Sequence, residues 1–451
     1  MSYALDRLGW LQFQDLCARL LQLDAAVAPS AWSGDADRVR IVRCEDGLGA
    51  PLLGYQLPGP VLVQCAWARA SGGALAAVLR LVEQQPLDGI RSLMLLTEAE
   101  LEGGLELPAG LDRTRVGILG ARELSARIDA LAQLRLQVPS LLGLRDIEEL
   151  LDAETVAGSS LELGAARELA GVFAPTRAYQ RALSVLEAHR FVVLTGPPEM
   201  GKTAIARMVA LAKLTDGWQA HECISPDDAM RAFDGDRAQV FVADDAFGST
   251  EYRADAADHW ARAMQRLLPM LNDRHWLIWT SRPAPLRAAL ARLHRERGAA
   301  RFPEPARVLV DAGDLEVSEK ALILLRHAKA AGLATSLRTR VALRGAEIVS
   351  DDHFTPERIR RLVLALTEGV AEFKDAVETQ LSTPTEAMAN SFQALADEHR
   401  DLLVALLDTP PGPVGERELA AAVRRHRDGP LSEPPAELID RLADHFLRVL
   451  A

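Results

Sequence analysis

Eight consecutive residues, Gly196-Pro197-Pro198-Glu199-Met200-Gly201-Lys202-Thr203, fit the pattern G-x-x-x-x-G-K-[ST] without a mismatch. Each fixed position has a chemical reason. Gly196 and Gly201 reach backbone conformations closed to other residues and turn the loop's N–H groups toward an anion. Lys202 brings an ammonium to the β- and γ-phosphates of a nucleoside triphosphate, and the Thr203 hydroxyl is a magnesium ligand. A second constellation follows at Val240-Phe241-Val242-Ala243-Asp244-Asp245, an apolar run ending in two carboxylates. Asp244 is expected to hold Mg²⁺, and Asp245 to orient or deprotonate an attacking water. A third apolar run, Trp276–Trp279, ends in Thr280-Ser281-Arg282, which makes Thr280 and Arg282 candidates for sensing the γ-phosphate. The expected ligands are ATP or ADP with Mg²⁺. Lys202 and Asp245 are the catalytic candidates, and the loop from Gly196 to Ala204 contacts the nucleotide. The expected activity is slow ATP hydrolysis.

These residues need a scaffold that holds strand ends beside helix starts. Phe191–Leu194 directly precedes the glycine-rich loop, and Ile205, Met208, Val209 and Ala212 follow it at helical spacing. Between 176 and about 300, short apolar runs alternate with helical stretches (203–213, 226–233 and 257–270), the layout of a parallel sheet with helices on both faces. The magnesium-binding strand is expected next to the phosphate-loop strand. After Pro303 strand signals almost vanish. Ser318 is expected to cap a helix that stops at Gly332, and Thr355-Pro356 to open another with Thr as cap and Pro at the first position. The C-terminal stretch shows three helical patterns, 396–407, 416–427 and 435–449, after a break at Thr383-Pro384. The first 135 residues are mixed α/β: a helix, then strands Val39–Cys44 and Val61–Trp67, a helix Leu75–Val82, and strands Ser92–Thr97 and Val116–Leu119.

Bulk properties bound the rest. A chain of 451 residues exceeds one ordinary core. Apolar residues make up 49% and the net charge is −12, which argues against wholesale adhesion to nucleic acid. The four scattered cysteines form no CxxC pair and read as buried thiols in a reducing compartment. The start, MSYALDRLGW, lacks the basic-then-apolar order of a signal peptide, and no apolar run approaches a membrane span. The expected location is the cytoplasm.

The loop LTGPPEMGKT, the strand end FVADDAFGS and the segment IWTSRPAPLR together resemble the STAND class of signalling ATPases, in particular the novel STAND NTPase 3 family. SEKALILLRHAKAA and HFTPERI extend the likeness, so it covers about residues 160–450. The resemblance implies a molecular switch in bacterial defence or signalling, closed with ADP and opened by ATP, with a nucleotide-dependent homo-oligomer or a separate sensor protein as partner. It places Pro356 or Arg358 beside the nucleotide and Phe173–Leu186 against adenine. It makes the final helices a winged-helix-like region, which here looks incomplete. The implied domains are 1–135, a helical linker 136–175, an NTPase core 176–302, a helical lid-like region 303–382 and the winged-helix-like region 383–451.

Residues 1–100 resemble the restriction-endonuclease-like core of the Mrr type, with Trp10–Leu16 as first helix and VLVQCAW as central strand. That chemistry needs acidic or amide ligands for Mg²⁺ and a lysine two residues beyond them. Gln64 stands at the Glu/Gln position, but Ala66 stands at the lysine position, and Gln14 replaces the acidic residue of the first helix. Asp35 or Asp37 is the remaining candidate ligand, and Arg69 a displaced cation. The resemblance therefore implies a degenerate nuclease that binds nucleic acid or protein. The alternative is an ATP-gated DNA endonuclease. Arg424-Arg425-His426-Arg427 is a further candidate for phosphate contact, against the reading of a solvated face.

Overall fold

The structure is a computed structural model. It describes residues 2–27, 39–50, 55–67, 89–101, 115–248, 253–297, 304–369, 373–382, 395–407 and 414–427, together with 389, 392, 393, 409, 434, 438, 439 and 442. Asp35, Asp37, Arg69, the helix expected over Leu75–Val82, the break at Thr383-Pro384 and most of 435–449 lie outside the described residues. The chain divides into two compact units, residues 1–151 and 152–451. The segment expected as a linker, 136–175, is split between them: Val138 and Leu141 are buried in the core of the first. No helix among the described residues is long and apolar enough to cross a membrane.

In the first unit, β1 (Val39–Cys44) pairs antiparallel with β4 (Val61–Ala66), and β5 (Ser92–Thr97) and β6 (Val116–Leu119) extend the sheet in parallel, in the order β1-β4-β5-β6. A short antiparallel pair, β2 (Leu48–Ala50) and β3 (Tyr55–Leu57), forms a separate ladder whose Leu48 and Leu57 join the core of this unit. All six residues of β4 and of β5 are buried, as expected of inner strands covered on both faces. Helix Trp10–Ala25 supplies Phe13, Leu16, Cys17, Leu20 and Leu21, one apolar stripe, to the core that also contains Val61, Val63 and Cys65. Leu62 and Ala66 alternate to the opposite face with Leu93 and Leu95.

The second unit holds a five-stranded parallel sheet: β7 (Phe191–Thr195), β8 (Gln219–Glu222), β9 (Gln239–Ala243), β10 (His275–Thr280) and β11 (Leu309–Asp311), ordered β11-β7-β10-β9-β8. This corrects the expectation that the strand ending in Asp244 neighbours the phosphate-loop strand. β10 is inserted between them, pairing Thr280 with Leu194 on one side and Trp279 with Ala243 on the other. The reason is burial. All six residues of β10 are buried, and the Trp279 ring meets Phe191, Phe247 and Trp260 at 4.9, 5.1 and 5.0 Å. So apolar a strand gains most at the centre of the sheet, while the more polar β8 takes the edge. β11 takes the other edge, in a region where the sequence showed almost no strand signal.

Beyond the sheet come helices Val317–Ala330, Thr335–Leu343, Gly345–Ser350, Pro356–Glu368 and Phe373–Ser382, which share a core including Ile323, Ile348, Leu362 and Val377. Thr355 caps its helix as expected, its hydroxyl accepting from Arg358 N at 3.1 Å. Ser318 does not cap. It lies inside the first turn, and Glu316 takes the cap position, its N–H donating to Glu319 Oε2 at 2.7 Å. The Glu319 carboxylate reaches back to a cap position two residues before the serine expected to hold it. Gly332 follows the helix with φ of +63°, the left-handed stop that favours glycine. Helices Asp397–Leu406 and Glu416–His426 pack through Leu402, Ala405, Leu419 and Val423. Arg427 is paired internally with Glu398 at 2.9 Å and Asp401 at 3.0 Å, which removes it from the basic patch; Arg424 and Arg425 remain exposed.

Candidate functional site

β7 delivers the chain to Gly196, whose φ is +136°. A Cβ there would meet Gly313 N at 2.9 Å and Asp311 Oδ1 at 3.0 Å, so the turn after β11 presses against the loop and only glycine fits. Glu199 (φ +66°) and Gly201 (φ +87°) continue the left-handed turns that aim N–H groups inward. Helix Lys202–Thr215 begins at the next residue. Its first residue, Lys202, is 7% exposed and donates to Gly196 O at 2.9 Å and Pro197 O at 2.8 Å. Burial lowers its pKa to about 8. Asp245, Asp244 and Asp311 oppose that shift and Arg282 adds to it.

The inserted strand joins the halves of the site. Thr280, fully buried at the end of β10, donates its hydroxyl to Asp244 Oδ1 and accepts from Asp245 N at 2.9 Å. It therefore brackets the two acids from behind. Thr203 Oγ1 also donates to Asp244 Oδ1, at 2.9 Å. Asp245 turns out of the strand with φ of +45°. Burial and then Asp244 push its pKa up, while Arg282 and Lys202 pull it down. Arg282 is itself lowered by burial, with Asp245 and Glu199 supporting its charge. The Thr203 hydroxyl and Asp244 carboxylate are hard oxygen donors converging on one point, which fits Mg²⁺, an ion held by one or two protein ligands plus phosphate oxygens and water.

A cavity of about 560 Å³ starts at this cradle. The loop from Glu199 to Ile205 borders one side, and Leu169, Val172, Phe173 and Thr176 another. Leu315, Ile323, His327, Pro356 and Arg360 come from the helical region. The volume and apolar walls suit a nucleotide-sized ligand. Pro356 and part of the segment expected near adenine thus share one cavity with the phosphate loop. Sequence reasoning passed over four contributors. Asp311 and Gly313 back the loop. His327, whose pKa is pushed down to about 4 by burial and by Arg360, faces the cavity as a neutral ring. Glu319 accepts the Arg177 N–H at the start of helix Arg177–His189, fastening the helical region beside Thr176. An internal carboxylate three residues after Glu316 was a legible capping signal, but its reach to Arg177 was not.

In the first unit, Gln64 and Ala66 lie on the sheet face of Leu62, with Gln64 between Ile41 and Leu95. Gln64 is fully buried and neither carboxamide atom finds a partner among the described residues. Gln14 belongs to the helix on the opposite face, so the two amides are not brought together. An unpaired buried amide costs stability. Replacing Gln64 by Met should raise the urea-unfolding stability of the first unit by about 1 kcal/mol. A loss of that size instead would mean the amide is in use.

No curated protein matches the chain. Residues 173–330 match the family model Novel STAND NTPase 3. The matched segment starts at Phe173 in the cavity wall and ends at Ala330, so it contains the phosphate loop, both acids, Arg282 and His327. It supports a STAND-like NTPase. Among solved structures, a Walker-type ATPase of Pyrococcus abyssi is 13% identical, with 60% of this chain and 96% of that chain covered and a TM-score of 0.36. The Orc1 protein of Aeropyrum pernix in complex with DNA is 13% identical, with 66% and 87% covered and a TM-score of 0.36. AMPPCP-bound DnaA of Aquifex aeolicus is 14% identical, with 55% and 85% covered and a TM-score of 0.29. These three likenesses are weak.

Proposed function

We propose that this chain is a STAND-type ATP-binding switch whose slow hydrolysis of Mg-ATP resets it, acting in bacterial defence or signalling. The cavity carries the reading: one space bounded by the phosphate loop and by the helical region, so that its occupant contacts both. Gly196–Ala204 binds the phosphates, Phe173 and Ile323 flank the base, and Pro356 closes over the ligand. Thr203 and Asp244 would hold Mg²⁺, which supplies charge neutralisation at the β- and γ-phosphate oxygens. Asp245 accepts the proton of the attacking water, a role helped by its raised pKa. Lys202 offsets charge on the γ-phosphate, and Arg282, beside Asp245, is placed to sense that group.

The N-terminal unit fits an endonuclease-like framework of the Mrr type with a degenerate site. The parallel β4–β5 pair and the helix packed on β4 support the framework; the buried Gln64 and the methyl of Ala66 speak against cleavage. Its use is contact with nucleic acid or with a protein partner, and nucleotide state sets whether copies of the chain assemble. The natural location is the cytoplasm. The test is the purified full chain. It should carry ADP, read by ion-exchange chromatography after acid release, and should leave supercoiled plasmid intact with Mg²⁺ and ATP. Protein free of nucleotide that also shows no calorimetric ATP binding sinks the switch reading, and Mg²⁺-dependent nicking sinks the degenerate-site reading.

A further inference from the structure

Glu199 is one of the four loop residues that the phosphate pattern leaves free in type, yet it takes a left-handed conformation (φ +66°) that a side-chain-bearing residue adopts at a cost. Glycine would sit there more easily, and the carboxylate has its own engagements. Glu199 Oε2 accepts from Thr355 Oγ1 at 3.3 Å. Its charge supports the cationic form of Arg282, at the end of β10, and of Arg358, in the first turn of helix Pro356–Glu368. It also lies by the positive N-terminal end of that 13-residue helix, where an anion is favoured. Glu199 and Pro356 both border the cavity.

We propose that Glu199 is a latch: a positioning residue that ties the phosphate loop to the Thr355 end of the helical region and so slows nucleotide release. This rests on the switch reading above and adds to it the residue pair that keeps the cavity closed. A nucleotide leaving the cradle passes between the loop and helix Pro356–Glu368. The Glu199–Thr355 bond spans that gap, and the positive charge of Arg282, at the end of β10, favours the same carboxylate.

Thr355 allows a test that separates latch from helix cap. Asp and Asn both cap helices well, so either should leave the helix intact. Asn also carries an N–H₂ donor for Glu199, whereas Asp presents a second carboxylate and repels it. In stopped-flow dissociation of N-methylanthraniloyl-ADP from the full chain, Thr355→Asp and Glu199→Ala should each release the nucleotide about three- to tenfold faster than the parent. Thr355→Asn should keep the parent rate. A parent rate in Thr355→Asp overturns the latch, and so does equal acceleration by Asn and Asp, which would assign the effect to the cap. A parent protein that binds no fluorescent ADP removes the switch reading and the latch with it; failure of the latch alone appears as tight binding with unaltered release.

Discussion

Lys202→Ala is expected to abolish ATP binding in calorimetry. The side chain is the cation built into the loop, and at about 4 Å from a phosphate charge in surroundings of intermediate polarity it contributes about 4 kcal/mol, roughly a thousandfold in affinity. The bonds it makes to Gly196 O and Pro197 O satisfy the ammonium before a ligand arrives, so giving them up would offset part of that attraction. Lys202→Met keeps the apolar stem and should lose binding equally. Because burial brings the pKa down to about 8, the loop sheds its charge as pH rises through that value, while bound phosphate holds the proton on. Affinity of the parent should thus fall above pH 8, approaching tenfold per pH unit. For folding the sign is opposite. The depressed pKa means that the charged lysine opposes folding in full below about 8, and this opposition fades between about 8 and 10.5. Neither variant should therefore unfold the domain. Unchanged ATP affinity in Lys202→Met would refute the phosphate-loop assignment.

Asp245→Asn should separate binding from turnover. The variant keeps the shape of the side chain and removes carboxylate repulsion with Asp244, which together with burial raises the Asp245 pKa. ATP affinity should stay within a few-fold of the parent, and phosphate release should fall at least a hundredfold, the usual contribution of a positioned general base. The bracket from Thr280 survives, since it engages the backbone N–H of residue 245 and the carboxylate of Asp244. Full turnover in Asp245→Asn would move the proton-accepting role to another group. Lost binding would make Asp245 a structural anchor.

What the sequence by itself determined is local. Positive φ at Gly196 and Gly201, the strand before them and the helix after them follow from residue type over a few positions, and so do the Thr355 cap and the buried runs of β4, β5, β9 and β10. Asp244 and Asp245 could be named because a strand end with two carboxylates has few other uses beside a phosphate loop. The tertiary structure decided which strand lies between them. Nothing short-range in Trp276–Trp279 says that β10 separates β7 from β9; that order comes from packing Trp279 among Phe191, Phe247 and Trp260, residues far apart in the chain. The same non-local burial made Thr280 a bracket for both acids, set Asp311 and Gly313 against the phosphate loop, and turned His327 to the cavity. It also paired Arg427 with Glu398 and Asp401, where the sequence showed only a basic run. Backbone conformation answers to the nearest side chains, whereas strand order and charge partners answer to what the whole core can bury.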